Sequence, residues 1–334
     1  MSNAVALNAY LQVFAHYLSL ENVTEICVNT HSEIWVEQAG VFTRHEDKNL
    51  SLDFLWKFAQ LVAEYNAREL SPETPTLSAV LPNGLRVQFV IPPACEKDTF
   101  VCAIRQKSVQ KVSINDYFLD HDEEAHDDER ILYDHYHNKN YSAFLEHAVL
   151  AKKNIIISGG TSTGKTTILN ELVNYIPLEE RLITIETDRE VELPHLNKVH
   201  LLAAEEGKSV ANINMLGLLK TGLRLRPDRI LVSELRAEEA FPYLRSINSG
   251  HPGSITTLHA DSPERCFQQL SFMVLQGRSN LTQDEIIAYA KSIINVVVQI
   301  KRTPKGKRYI SEIYYDQAKS IQPKKGSDHV FKCI

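Results

Sequence analysis

From position 159 the chain reads Gly159-Gly160-Thr161-Ser162-Thr163-Gly164-Lys165-Thr166, with Thr167 next. Glycines five positions apart, followed by lysine and a hydroxyl residue, give the spacing of a phosphate-binding loop. Glycine lets the main chain curl where a Cβ would collide, so backbone N–H groups can face phosphate oxygens. In such a loop Lys165 reaches the β- and γ-phosphates and the Thr166 hydroxyl is a ligand for Mg2+. The run that follows, TTILNELVNYI, reads as a helix whose N-terminal dipole also favours an anion. The expected chemistry is binding and hydrolysis of ATP with Mg2+.

Hydrolysis needs acids near the metal and the attacking water, and in a parallel sheet these stand at the carboxyl ends of strands. Glu186 ends the apolar run RLITIE, with Asp188 and Glu190 just beyond it. Glu234 ends RILVSE. One carboxylate can serve the metal, alone or through water, and the other can orient or deprotonate water. Glu234 joins Thr166 as the expected metal-side pair. His259 ends a third run, SITTLHA, where it can sense or donate to the γ-phosphate. Charge on a transferring phosphoryl group also calls for arginine. Arg224, Arg226, Arg229 and Arg236 crowd around the Glu234 segment, and Arg86 and Arg105 sit on strand-like segments far upstream.

The elements that must hold these residues fall into two patterns. Residues 4–18 carry apolar side chains at helical spacing (Leu7, Leu11, Phe14, Leu18), and 51–69 read as an amphipathic helix capped by Ser51 or Asp53. TEICVN, EIWVEQ and FVCAIRQ read as strands, and Asn83-Gly84 between two more marks a hairpin. An α+β domain over residues 1–106 with an antiparallel sheet is expected. Residues 107–140, rich in carboxylates around DHDEEAHDDER, read as an acidic linker. Its histidines (His121, His126, His135, His137) lack a metal-ligand spacing. From 141 to 334, strands alternate with helices, the pattern of βαβ units: an α/β domain of RecA-like P-loop type with a mainly parallel sheet. Helices are expected near 209–225, 237–249, 263–276 and 282–294, with closing strands NVVVQIKR and ISEIYY and a polar tail after Gln317.

Composition narrows the function classes. The chain has 334 residues with 42 acids against 36 Lys and Arg, a net charge of −6, so no global basic field announces nucleic-acid binding. The cluster KRTPKGKR (301–308) is a local exception that reads as a solvated hairpin and leaves direct nucleic-acid contact open. Five scattered cysteines (Cys27, Cys95, Cys102, Cys266, Cys333) form no CxxC pair, which fits buried thiols in a reducing cytosol. No stretch approaches the roughly 18 apolar residues of a membrane helix, so any membrane role is expected to be peripheral.

Taken in order, GGTSTGKTT, RLITIETDREVEL, GLRLRPDRILVSELR and SGHPGSITTLHA resemble the Walker A loop, Asp box, Walker B segment and His box of the secretion and conjugation ATPases. VTEICVN, EIWVEQAGVF, LPNGLRVQFV and VCAIRQKS in the first domain resemble the traffic ATPases of type IV secretion systems. The resemblance implies a homohexameric motor on the cytoplasmic face of the bacterial inner membrane, working with inner-membrane components of a secretion apparatus. It implies nucleotide held between the two domains. Glu186 then takes the place of the Asp-box acid, Glu234 of the Walker B acid and His259 of the His-box residue. Arg86 and Arg105 take the places of first-domain arginines that approach the γ-phosphate. A motor of type II secretion or of a type IV pilus is the rival reading. This chain lacks the four-cysteine zinc insert of many type II assembly ATPases. It also departs from the usual pattern at Ser162 and Ser233, where glycine is common, and at Thr187, where the Asp box has aspartate.

Overall fold

The computed structural model describes residues 2–106, 127–204, 210–277 and 280–316. Two sheets organise the chain. The first begins with helix α1 (Ser2–Leu18), strands β1 (Val23–Val28), β2 (Glu33–Gln38) and β3 (Val41–Glu46), and helix α2 (Leu52–Tyr65). Strands β4 (Thr76–Val80), β5 (Arg86–Val90) and β6 (Val101–Arg105) complete it in the order β3-β2-β1-β6-β5-β4, every pair antiparallel. Ser51, not Asp53, caps α2 by accepting from the Phe54 N–H. Asn83-Gly84 turns β4 into β5, with Gly84 at φ +83°. The sequence reading missed β3, an exposed edge strand whose last four residues, Thr43–Glu46, are polar.

The strand period of two gives this sheet two different faces. Ile26, Val28, Ile34, Phe89 and Ile104 point to one side, where Leu7, Leu11 and Phe14 of α1 and Leu55, Phe58 and Val62 of α2 cover them. Cys27, Trp35, Val90, Val101 and Ala103 point to the other side and join the core of the second body. Strand residues that would otherwise be solvent-facing are thus apolar because a second layer lies on them.

The second body starts with α3 (Asp128–His137) and α4 (Tyr141–Leu150) and runs through β7 (Ile155–Gly159), α5 (Lys165–Leu172), β8 (Leu182–Glu186) and β9 (Lys198–Leu202). It continues with α6 (Met215–Gly222), β10 (Arg229–Val232), α7 (Ala240–Asn248), β11 (Ile255–Leu258), α8 (Pro263–Gln276) and α9 (Gln283–Ile293). The hairpin β12 (Val296–Arg302) and β13 (Arg308–Tyr315) ends it. The sheet order is β13-β12-β7-β11-β10-β8-β9, parallel except for β12–β13. This is the mainly parallel α/β architecture expected. Ile155 and Ile157 of β7 pack under α4 and α5, while Ile156 packs with residues of α6–α9, so both faces of the sheet are covered.

Part of the stretch read as an acidic linker is a helix. Leu132 of α3 is fully buried, Tyr136 donates to the Ile313 carbonyl at 3.0 Å, and Tyr315 donates to Glu129 at 2.8 Å. One apolar stripe was enough to dock an otherwise charged helix. Residues 107–126, with His121 and His126, and the tail from 317 lie outside the described residues. The helix expected near 209–225 is confined to Met215–Gly222, started by Asn214, whose side chain accepts from the Gly217 N–H. Strand β9, with Lys198 and His200 among its five residues, was too mixed to be read from pattern.

The two bodies meet along β9. Leu202 N–H donates to the Ala94 carbonyl at 2.9 Å and Cys95 bridges Leu201. Beside them Arg181, with no exposed surface, donates to Asn29 Oδ1 at 2.7 Å, to Asn197 Oδ1 and to the Leu225 carbonyl at 2.9 Å. Arg226 pairs with Glu37, and Phe42 lies 5.9 Å from the Arg181 guanidinium and 5.6 Å from that of Arg226. Four cysteines, Cys27, Cys95, Cys102 and Cys266, are buried free thiols, and burial raises the pKa of each.

Candidate nucleotide site

The loop after β7 follows from local backbone preference. Gly164 takes φ +96° and Ser162 φ +59°, both left-handed. Ser162 holds a conformation that glycine adopts freely, so the departure from glycine is accommodated without altering the turn. Gly159 admits no side chain: a Cβ there would stand 2.6 Å from Thr163 Oγ1 and 2.9 Å from the Ile300 carbonyl. Thr163 Oγ1 donates to the Gly160 carbonyl at 2.8 Å and pins the curl. Thr161, Ser162 and Thr167 are exposed around it.

Lys165 opens α5 and is almost wholly buried. Its ammonium donates to the Gly159 and Gly160 carbonyls at 3.2 and 3.3 Å and lies 3.3 Å from both ring nitrogens of His259. Burial lowers its pKa, and the nearby Glu234 carboxylate partly offsets that. His259 Nε2 lies 2.7 Å from Glu234 Oε1, and Arg236 Nε donates to Glu234 Oε2 at 2.7 Å. Glu234 Oε1 is nevertheless buried with no hydrogen-bond partner, because the histidine sits beside it and out of line for a bond. Lys165, Glu234 and His259 are therefore brought together from α5 and the ends of β10 and β11.

The acids after β8 divide. Thr166 Oγ1 donates to Glu190 Oε2 at 3.0 Å. Glu186 is fully buried and turned into its own loop: Thr184 Oγ1 donates to Oε1 at 2.6 Å, and the Glu190 and Val191 N–H groups donate to Oε2 at 2.8 Å each. Burial would raise the Glu186 pKa, but hydrogen bonds from His200, Thr184 and the two amides outweigh it and hold the carboxyl below its usual value. His200 Nδ1 lies 2.8 Å from Thr184 Oγ1, whose proton is committed to Glu186, and Arg189 donates to His200 Nε2 at 3.0 Å. Arg189 also donates to Glu96 of the first body at 3.0 Å. Asp188 is exposed. Sequence spacing puts Glu186 and Glu190 four residues apart without saying which one faces Thr166; the amide bonds that anchor Glu186 decide it. The Arg189–His200–Thr184 chain was not foreseen, and its one signal is the pair of polar residues, Thr184 and His200, inside otherwise apolar strands.

The arginines also separate. Among the arginines of the described residues, Arg236 alone pairs with Glu234. Arg229 is buried and donates twice to Glu180 at 2.8 Å and to the Val149 carbonyl at 2.7 Å, an anchor under the sheet. Arg226 is spent on Glu37 and Asp228. Arg86 and Arg105 face each other across β5 and β6 and line a cleft of about 410 Å3 together with Arg68, Arg224 and Glu25. No residue of the Gly159–Thr167 loop lines that cleft. Within one chain these arginines are not brought to Lys165. Glu25 in the same cleft has its pKa raised to about 7 by burial, against the pull of Arg105 and with a further push from Glu37.

The oxygens present suit a hard divalent cation, which takes hydroxyl and carboxylate ligands. Glu234 Oε1 is a buried acceptor in no hydrogen bond, with His259 Nε2 2.7 Å away, and Thr166 Oγ1 with Glu190 supplies further oxygens. Among the described residues no cluster of three His, Cys, Asp or Glu side chains could cage a metal alone. Among them, also, no helix is long and apolar enough to cross a membrane.

A profile of the family described as Type II/IV secretion system protein matches residues 12–329. The type IV secretion system protein VirB11 of Bartonella quintana is 38% identical over 331 residues, covering 92% of each chain. The type IV secretion system protein PtlH of Bordetella pertussis is 36% identical over 325 residues, covering 93% of this chain and 95% of its own. The crystal structure of the VirB11 ATPase from the Brucella suis type IV secretion system, in complex with sulphate, superposes with a TM-score of 0.87 at 35% identity. The match covers 96% of this chain and 98% of that one. Matched by that profile over most of its length and by these relatives over nine-tenths of it or more, the chain belongs to the type II/IV secretion system protein family, among the VirB11-like ATPases.

Proposed function

We propose that the chain hydrolyses Mg-ATP at the Gly159–Thr167 loop and works as a homohexameric motor of a type IV secretion system, on the cytoplasmic face of the inner membrane. The observation that carries the hydrolytic reading is the meeting of Lys165, Glu234 and His259, with the Glu190–Thr166 pair on the same loop. The relatives named above are type IV secretion proteins, which favours this reading over a type II or pilus motor.

The loop amides and Lys165 would bind the phosphates. Thr166, Glu190 and Glu234 would hold Mg2+, directly or through water. Bound there, the ion would neutralise charge on the β- and γ-phosphates. Glu234 would orient and deprotonate water while Arg236 fixes its carboxylate and His259 stands beside it. Glu186 would act through Glu190, by fixing the loop that carries it. The resemblance also assigns Arg86 and Arg105 to the γ-phosphate. Since they stand in a separate cleft, that contact requires either a neighbouring subunit's nucleotide or a movement of residues 1–106 over residues 141–334. The inner-membrane components of the apparatus would receive the resulting motion.

Phosphate release tests the site. Lys165→Ala and Glu234→Gln should each reduce turnover by about a hundredfold or more while circular dichroism and thermal midpoint hold. Full activity in either variant refutes it. Mass measurement with and without ATP tests the ring, and a persistent monomer refutes that part.

A further inference from the structure

The turn between β12 and β13 carries Lys301, Arg302, Lys305, Lys307 and Arg308 and no acid. Arg302 and Arg308 are directly opposed across the strands, and opposed like charges repel. Neither guanidinium has a hydrogen-bond or ion-pair partner among the described residues. A hairpin tip that keeps such a pair is short of negative charge.

The fold brings that tip to the nucleotide loop. β12 is the neighbour of β7, with Ile300 opposite Gly159. Gln299 faces Glu312 while Ile300 faces Ile310, so Ser311 is an extra residue on β13, and such a bulge bends and twists the strand that carries it. Arg308, the first residue of β13, lies across Gly164. Its Cδ is 3.1 Å, one terminal nitrogen 3.5 Å and its Nε 3.6 Å from the point where a Cβ would stand on that glycine. Lys165 is folded back on the Gly159 and Gly160 carbonyls at the start of the loop. Arg308 occupies the loop's other end, where backbone amides cradle the α- and β-phosphates.

We infer that Arg308 is a nucleotide-binding residue supplied by the same chain, donating to the α- and β-phosphates of a nucleotide held in the loop. The inference rests on the proposed ATP site and adds to it a cation from outside the four sequence segments that carried the reading. The γ-phosphate is left to Lys165, so Arg308 serves ATP and ADP alike. Gly164 then has two reasons to lack a side chain: its left-handed backbone and the passage of the Arg308 arm over it.

The test is direct binding of ADP by titration calorimetry, with steady-state ATP hydrolysis beside it. Arg308→Ala should raise the ADP Kd and the ATP KM about tenfold each, or ~1.4 kcal/mol, with kcat within about a factor of two. Arg308→Met, which keeps the apolar arm over Gly164, should behave like alanine. Arg308→Lys should lie between, since it keeps charge and loses the planar fork. Lys307→Ala, one residue away on the same turn, should leave both constants unchanged. Wild-type ADP affinity in the alanine and methionine variants overturns the inference. So does a fall in kcat at constant KM, or an equal effect from Lys307→Ala, which would indicate a diffuse basic field. If wild-type protein binds no nucleotide, the ATP site itself fails; if it binds and Arg308 variants match it, only this inference fails.

Discussion

Two glutamates four residues apart show how a side chain's partners decide its work. Glu186 is saturated by its own loop, while Glu190 reaches the Thr166 hydroxyl. Glu190→Ala should raise the Mg2+ concentration needed for half-maximal turnover by about 10–100-fold, the usual cost of a lost outer partner, leaving the thermal midpoint near wild type. Glu186→Gln should instead unfold more easily, by about 2–4 kcal/mol, because a buried acceptor set loses its charge and one acceptor. The pH dependence separates further. Glu186 has a lowered pKa in the fold, so its contribution is complete above about 4.5 and is lost as pH falls through the lower folded value. Glu25 has the opposite sign: raised to about 7, it costs stability as pH climbs from its usual range through 7. Glu25→Gln should therefore flatten the neutral side of a denaturant-midpoint profile and Glu186→Gln the acid side. At Ser162, glycine would relieve ~1–2 kcal/mol of left-handed strain and cost ~0.5–1 kcal/mol in chain entropy. A gain of about 0.5 kcal/mol in Ser162→Gly, read by urea titration, is expected.

Elements place these residues, and their legibility depended on how strictly the pattern was imposed. Strands β7, β8, β10 and β11 lie inside a parallel sheet and are buried along their length, so they are short runs of apolar and β-branched residues and were plain in the sequence. Edge strands β3 and β9 need no such run and were missed. Helix α3 was hidden because Leu132 and Tyr136 are diluted by acids and histidines. The loop and Glu234 were legible because spacing and strand ends define them. Glu190 over Glu186 was not, since hydrogen bonds to backbone amides leave no trace in residue type. The fit of β12 against the loop was equally invisible: the nearest Ile300 atom to Gly159 is its backbone carbonyl, which any residue would present. Gly159→Ala should push β12 from β7 and cost about 1–3 kcal/mol by overpacking, with ATP binding lost in the same calorimetric assay.

At the scale of the molecule, the chain links its nucleotide loop to its first body through few contacts. Thr166 holds Glu190; the next residue back, Arg189, holds Glu96 between β5 and β6. Arg181 and its asparagines, all buried, join the bodies from beneath. Arg181→Met should cost about 2–4 kcal/mol by leaving Asn29, Asn197 and the Leu225 carbonyl short of donors. The loss should appear as a broadened or split calorimetric transition as the bodies uncouple. The join along β9 carries a further consequence. A parallel sheet ends there in a strip of main-chain groups that would welcome any passing strand. The Ala94–Cys95 segment sits on that strip as a cover. Losing that cover would leave a bare, adhesive border open to the next copy of the chain.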